Sequence, residues 1–194
     1  TQVPAISAES ARRTEMVQAQ VQREQDRGRL DQDDFLASLG LSMEMRVIRH
    51  PQAVGFGRAL ELINKTNQFN TSGRRWGEGE AAAWFADGGR WWVFSACDRH
   101  ADYGLVGVLV ERDGRIEQFV MSCRVFGLQL EQAALALLRA QMAAGLSALL
   151  LETDRNGPCR NVFRASGWTA DGDCWTAPET LAIPDHIAAT LSTD

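Results

Sequence analysis

The side chains best suited to chemistry gather around MSCRVFGLQLEQ at 121–132, where an apolar run ends in Cys123 and Arg124 and Gly127 precedes a helical pattern. An ionised cysteine at a strand end can act as a nucleophile and carry a covalent intermediate. Nearby helix-start amides and Arg124 would favour the thiolate; the alternative is an inert cysteine on an apolar strand. Arg124, Val125, Phe126, Gly127, Leu128 and Gln129 form the turn itself. Backbone N–H groups and the helix dipole suit such a turn to phosphate, and glycine lets backbone approach it. R-x-x-G alone is common, so its place between a strand and a long helix carries the phosphate reading. A plain strand-to-helix connection, with Gly127 at positive φ, is the other reading.

A second polar group is Asn64, Thr66, Asn67, Gln68 and Asn70, followed by Arg74 and Arg75. Amides orient a hydroxyl-rich or amide-bearing group without adding charge, or equally satisfy their own loop backbone. The two arginines, Arg74 and Arg75, suit a phosphate or an acidic partner, or a solvated surface. Asp98, His100 and Asp102 lie between strands; His100 reads as a surface histidine before a base, and Asp102 as a candidate to orient Cys123 or substrate. Cys97 and His100 lack two further zinc ligands, so no metal is expected. The six tryptophans, Trp91-Trp92 among them, read as packing.

These residues need elements to hold them. Residues 8–27 carry a thin apolar stripe, the mark of a lightly docked arm, and Asp31 to Leu39 reads as a short capped helix ended by Gly40. A strand at Met43 to Ile48 precedes a helix from Pro51 to about Thr66, and a second helix covers Gly77 to Ala86. Strands follow at 90–97, 104–111 and 115–122, with Asp113-Gly114 marking a hairpin. A helix over 128–145, a doubly buried strand at 147–152, a short helix at 158–165 and an aromatic strand at 174–176 complete the order.

The 194 residues fit one domain with an arm, drawn at 1–42 and 43–194. A net charge of −5 gives no basic footprint for nucleic acid. The sequence has neither an apolar run of membrane length nor an apolar signal core, so a cytoplasmic protein with reduced thiols is expected.

The element order resembles the GNAT acyltransferase fold, an α/β fold with a mixed, mostly antiparallel sheet flanked by helices. The resemblance implies that Arg124 to Gln129 matches Q/R-x-x-G-x-G/A, which binds the pyrophosphate of coenzyme A, with Gln129 in place of the second glycine. It also places the reacting thioester near Cys123 and the acceptor cleft beside Asn64 to Asn70. Asn156 and Phe163 keep the spacing of that fold's Asn and Tyr, but a phenylalanine cannot protonate a leaving thiolate.

RRTEM at 12–16, DFLASLGL at 34–41, INKTNQFNTSGRRW at 63–76, DYGLVGV at 102–108, FVMSCRVFG at 119–127 and NGPCRNVF at 156–163 together resemble the C-terminal region of FkbH-like glyceryltransferase/phosphatases. The resemblance implies transfer of a glyceryl group from a bisphosphoglycerate donor to the pantetheine of an acyl carrier protein in polyketide-type biosynthesis, beside a HAD-type phosphatase domain. No DxDxT strand of that phosphatase is read in these residues: Asp31-Gln32-Asp33-Asp34 looks similar but follows no apolar strand, so it reads as a helix start. The chain is expected to be either an excised C-terminal domain or a stand-alone relative. A non-catalytic carrier-docking module and an acetyl-coenzyme A N-acetyltransferase are the rival expectations.

Overall fold

The computed structural model describes residues 31–192, so the expected arm helix at 8–27 lies outside the described residues. The elements run α1 (Gln32–Ser38), β1 (Leu41–Ile48), α2 (Phe56–Lys65), α3 (Glu78–Ala86), β2 (Arg90–Cys97), β3 (Asp102–Arg112), β4 (Arg115–Met121), α4 (Leu130–Gln141), β5 (Ser147–Leu149), α5 (Val162–Ala165), β6 (Thr169–Asp171), β7 (Cys174–Thr176) and β8 (Ile187–Leu191). Single 3₁₀ turns at Cys123–Val125 and Gly157–Cys159 precede α4 and α5. The result is a GNAT-like α/β fold.

All eight strands form one sheet in the order β6-β7-β5-β4-β3-β2-β1-β8. The pairs β1–β2, β2–β3 and β3–β4 are antiparallel, whereas β4–β5 and β1–β8 are parallel. The β3–β4 connection is the anticipated two-residue turn, with Asp113 at φ 52° and Gly114 at φ 76°, both in the left-handed region that matches strand twist.

Helices cover both faces of the sheet. On one, α1, α4 and α5 bury Phe35, Leu36, Leu135, Leu138 and Phe163 against Met43, Met45, Phe94 and Phe119. On the other, α2 and α3 bury Phe56, Ala59, Ile63, Ala81 and Phe85 against Trp91, Val93, Val108 and Val120. Trp91 and Trp92 are both buried, and they serve opposite faces because side chains alternate along a strand. Leu36, Leu39 and Leu41 are buried as well, so the packed body begins before residue 43.

Some element boundaries differ from the sequence expectation. Residues 51–55 are turns and α2 starts only at Phe56, because Gly55 at φ 85° is left-handed and cannot extend a right-handed helix. The helix α4 stops at Gln141, where Met142 turns away at ψ 86°, and Arg139 donates to the Met142 carbonyl at 2.8 Å. The strand β5 is shorter than the apolar run 147–152, since the chain leaves β4 after Ala148.

One buried charge ties the hairpin to the sheet. Arg90 Nε and Nη2 donate to the fully buried Glu111 carboxylate at 2.9 and 3.0 Å, and Trp92 Nε1 and the Gly114 amide donate to it at 3.1 and 2.8 Å. Every carboxylate oxygen is satisfied, the condition under which burying such a charge is tolerable.

Candidate functional site

The strand β4 delivers Met121 into the core, and the chain then turns. Ser122 Oγ accepts from the Arg124 amide at 3.4 Å and from Arg124 Nε at 3.1 Å, so a strand-end serine starts the turn and fixes the arginine root. The Cys123 thiol is exposed. Burial first, then the positive charge of Arg58, pulls the Arg124 guanidinium below its ordinary value, with Cys123 and Tyr103 opposing. The exposed thiol and the Arg124 guanidinium thus interact at the root of the turn.

The turn Arg124 to Gln129 is largely self-bonded. The amides of Val125, Phe126 and Leu128 donate to the carbonyls of Ser122, Cys123 and Val125 at 3.3, 3.2 and 3.3 Å. With the Arg124 amide on Ser122, this leaves Gly127 and Gln129 as the turn's other amide donors. Val125 and Leu128 are buried core residues. Gly127 has the expected positive φ of 79° and an open surface where a Cβ would stand. Gln129 also takes a left-handed conformation, φ 62°, uncommon for a residue with a Cβ.

Coenzyme A, the group this fold implies, fits poorly here. A groove of about 740 Å³ beside Gln129 and Gln132 is lined by Asp33 and Asp185, and no Lys or Arg lines it. Glu131, in the first turn of α4, has a buried Oε2 with no partner, and burial raises its carboxyl pKa. Carboxylates beside a helix start oppose a pyrophosphate. Phe163, at the position of the tyrosine, is fully buried, with its ring 4.8 Å from that of Trp168 and 6.0 Å from that of Trp175.

The polar loop is also internally engaged. Asn64 forms a two-way clasp with the Trp76 backbone, donating to its carbonyl at 2.7 Å and accepting from its amide at 2.9 Å. Arg75 donates to the Ile63 and Thr66 carbonyls at 2.6 and 2.9 Å and to Asn67 Oδ1, capping the end of α2. Asn70 Nδ2 donates to the Thr66 carbonyl, and Asn70 Oδ1 accepts from the Gly73 amide and Gln118 Nε2, both at 2.8 Å. Gln68 is exposed. Arg74 lies over the Trp76 ring, 3.7 Å from its centroid, and 3.6 Å from Glu80.

Sequence reasoning missed the centre of this network. Gln118 is fully buried on β4, where its Nε2 donates to Asn70 Oδ1 and the Arg74 carbonyl while its Oε1 accepts from Trp76 Nε1 at 2.7 Å. Thr71 Oγ1 accepts from the Phe119 amide at 2.9 Å. The available signal was a glutamine within the apolar strand RIEQFVM, since a buried amide must find partners.

The network fills the opening between β4 and β5. These parallel strands pair only at Arg115↔Ser147 and Ile116↔Ala148, and beyond that Phe69–Thr71 lies between them. The Thr71 amide donates to the Phe119 carbonyl at 3.0 Å and the Met121 amide to the Phe69 carbonyl at 3.1 Å, while on the other side the Leu151 amide donates to the Thr71 carbonyl at 2.8 Å. Asn156 Nδ2 donates to the carbonyls of Asn70 and Leu151 at 3.1 and 2.8 Å, and its Oδ1 accepts from the Thr153 amide.

Asp102 stands elsewhere. Its register partner is Cys97, and its Oδ1 accepts from the Gly104 amide at 2.8 Å. The Ser122 amide, next to Cys123, bonds the Val106 carbonyl, four residues or roughly 13 Å along β3 from Asp102. Asp102 instead lines a cavity of about 410 Å³ with Ser42, Glu44, Cys97 and Thr190, where Cys97 Sγ lies 3.0 Å from Ser42 Oγ. Asp98 closes the β2–β3 turn, accepting from the His100 and Ala101 amides and, at 2.8 Å, from the Tyr103 hydroxyl.

Among the described residues no three His, Cys, Asp or Glu side chains gather as a metal site, and no helix is long and apolar enough to cross a membrane. No family model, curated protein or solved structure matches the chain.

Proposed function

We propose that the chain is an acyltransfer domain in which Cys123 accepts a small acyl group, by resemblance glyceryl, from a phosphate- or thioester-activated donor. The acyl group then passes to the pantetheine thiol of an acyl carrier protein, in the cytoplasm and beside a HAD-type phosphatase activity. The observation that carries this reading is the exposed Cys123 thiol at the end of β4, beside the Arg124 guanidinium. A guanidinium beside the thiol suits an anionic, phosphate-bearing donor.

With an acyl phosphate, the Cys123 thiolate attacks the acyl carbon, and the new C–S bond forms as the C–O bond to phosphate breaks. Phosphate leaves with the electron pair, and the thiol proton has passed to solvent. The carrier thiolate then attacks the thioester, and Cys123 departs as thiolate.

Mass spectrometry after incubation with an acyl phosphate tests the relay. An adduct retained in Cys97→Ala and lost in Cys123→Ala is expected; no adduct on Cys123 would sink the relay.

A second reading, a non-catalytic carrier-docking module, is favoured by the self-bonded turn and by the buried Phe163. It requires carrier binding that survives Cys123→Ala and weakens in Arg74→Ala, with no acyl adduct on any cysteine.

A further inference from the structure

We infer that Phe69–Thr71 is a built-in strand standing where an extended ligand arm would lie, so that this chain takes no coenzyme A and no pantetheine thioester between β4 and β5. A thiol partner meets Cys123 only from outside the sheet. The inference concerns the slot and holds whether or not Cys123 relays an acyl group.

Two parallel strands that separate after a short pairing expose facing edges, and an amide-containing arm binds such an edge as an added strand. Pantetheine, with two amides, is an arm of this kind. Here the edge of β4 is already paired: the Phe119 carbonyl and the Met121 amide are held by Thr71 and Phe69, and the Phe119 amide by Thr71 Oγ1. The facing wall is paired too, through the Leu151 amide on the Thr71 carbonyl and Asn156 Nδ2 on the Asn70 carbonyl. The isolated bridge Asn70↔Val120 is antiparallel, so the segment runs opposite to β4.

The segment has the burial of a core strand rather than of a lid. Asn70 is 1% and Thr71 0% exposed, as are Asn156 and Gln118, at 1% and 0%. Phe69 packs its ring 5.2 Å from Phe119 and 5.9 Å from Phe126. Withdrawing it would leave amides and carbonyls on both walls unpaired and open an apolar hole behind Phe69, which disfavours exchange with a ligand arm.

Two measurements test this on the whole chain. Coenzyme A or acetyl-coenzyme A at millimolar concentration is expected to leave the melting midpoint unchanged, whereas a ligand at about a hundred times its dissociation constant raises it by several degrees. In native-state hydrogen exchange, the amides of Thr71, Met121 and Leu151 are expected in the slow class of the central β2–β3 amides, with or without coenzyme A. A raised midpoint, or faster exchange at these three amides, overturns the inference. If the slot passes both measurements and Cys123 forms no adduct, the relay fails alone. If an adduct forms while the three amides exchange fast, the slot reading fails alone.

Discussion

Asn156 reaches back to Asn70, donating from Nδ2 to its carbonyl at 3.1 Å across 86 residues of sequence. One side chain thereby joins the loop after β5 to the segment that closes the slot. The same amide nitrogen also donates to the Leu151 carbonyl, and Oδ1 accepts from the Thr153 amide.

Asn156→Ala removes all three bonds at a buried position. Each unpaired buried group costs about 1–3 kcal/mol, offset in part where water enters. The expected net loss is roughly 2–4 kcal/mol, read as a melting midpoint lowered by about 5–15 °C in a chain of this size. A midpoint equal to that of wild type would show the residue idle.

Phe163→Tyr would restore the hydroxyl that the fold's general acid carries, but inside a closed aromatic cluster with Trp168 and Trp175. A buried hydroxyl without a partner costs about 1–3 kcal/mol. The variant is expected to melt earlier and to gain no acetyl transfer from acetyl-coenzyme A to an amine. Turnover with that donor would contradict the closed slot.

Glu131 gives a pH-dependent prediction. Its carboxyl pKa is raised by burial, with its own backbone amide opposing. A carboxyl raised on folding contributes stability that is present below its unfolded value, near 4.5, and is lost as pH rises through the folded value. Glu131→Gln removes the ionisable group and should therefore melt higher than wild type at pH 7, with the gain shrinking toward pH 4. Midpoints measured across this range check the sign; an equal gain at both ends would rule out ionisation as the cause.

The Cys159 thiol is pushed up to about 11 by burial, and it donates to the Asn156 carbonyl at 3.3 Å. Iodoacetamide at pH 8 should modify the exposed Cys97 and Cys123 well before Cys159. The neutral thiol is favoured on folding, so its contribution is intact below pH 9 and is lost as pH rises from about 9 to 11. A Cys159→Ala chain should show a shallower alkaline fall in midpoint than wild type.

Periodic and turn signals made much of this fold legible. The capped helix at Asp31, the Asp113-Gly114 hairpin and the apolar face of α4 are local patterns, fixed by side chains a few residues apart. The edge strand β8 and the Phe69–Thr71 insertion were not legible, because their partners lie far away in sequence and neither has a strong strand pattern. Asn64, Asn70 and Asn156 stood out as polar, yet apart from the Gln118 bond to Asn70 their destinations are backbone groups, which no side-chain motif announces. Gln118 and Glu111 were hidden in apolar strands, and only the sheet register reveals that each is buried among donors. For Cys123 the sequence supplied residue type and strand end, while its exposure came from the tertiary arrangement.

The contact between Asn156 and Asn70 also sets an order of events during synthesis. A ribosome adding about 5–20 residues per second needs roughly 4–17 seconds to travel from one to the other. At first neither wall of the slot exists, and once β4 is made Phe69–Thr71 has only β4 to hold it until the chain reaches Leu151 and Asn156. A nascent chain halted between β4 and β5 would thus present an unsealed edge and the Phe69 ring to its surroundings, an aggregation-prone state.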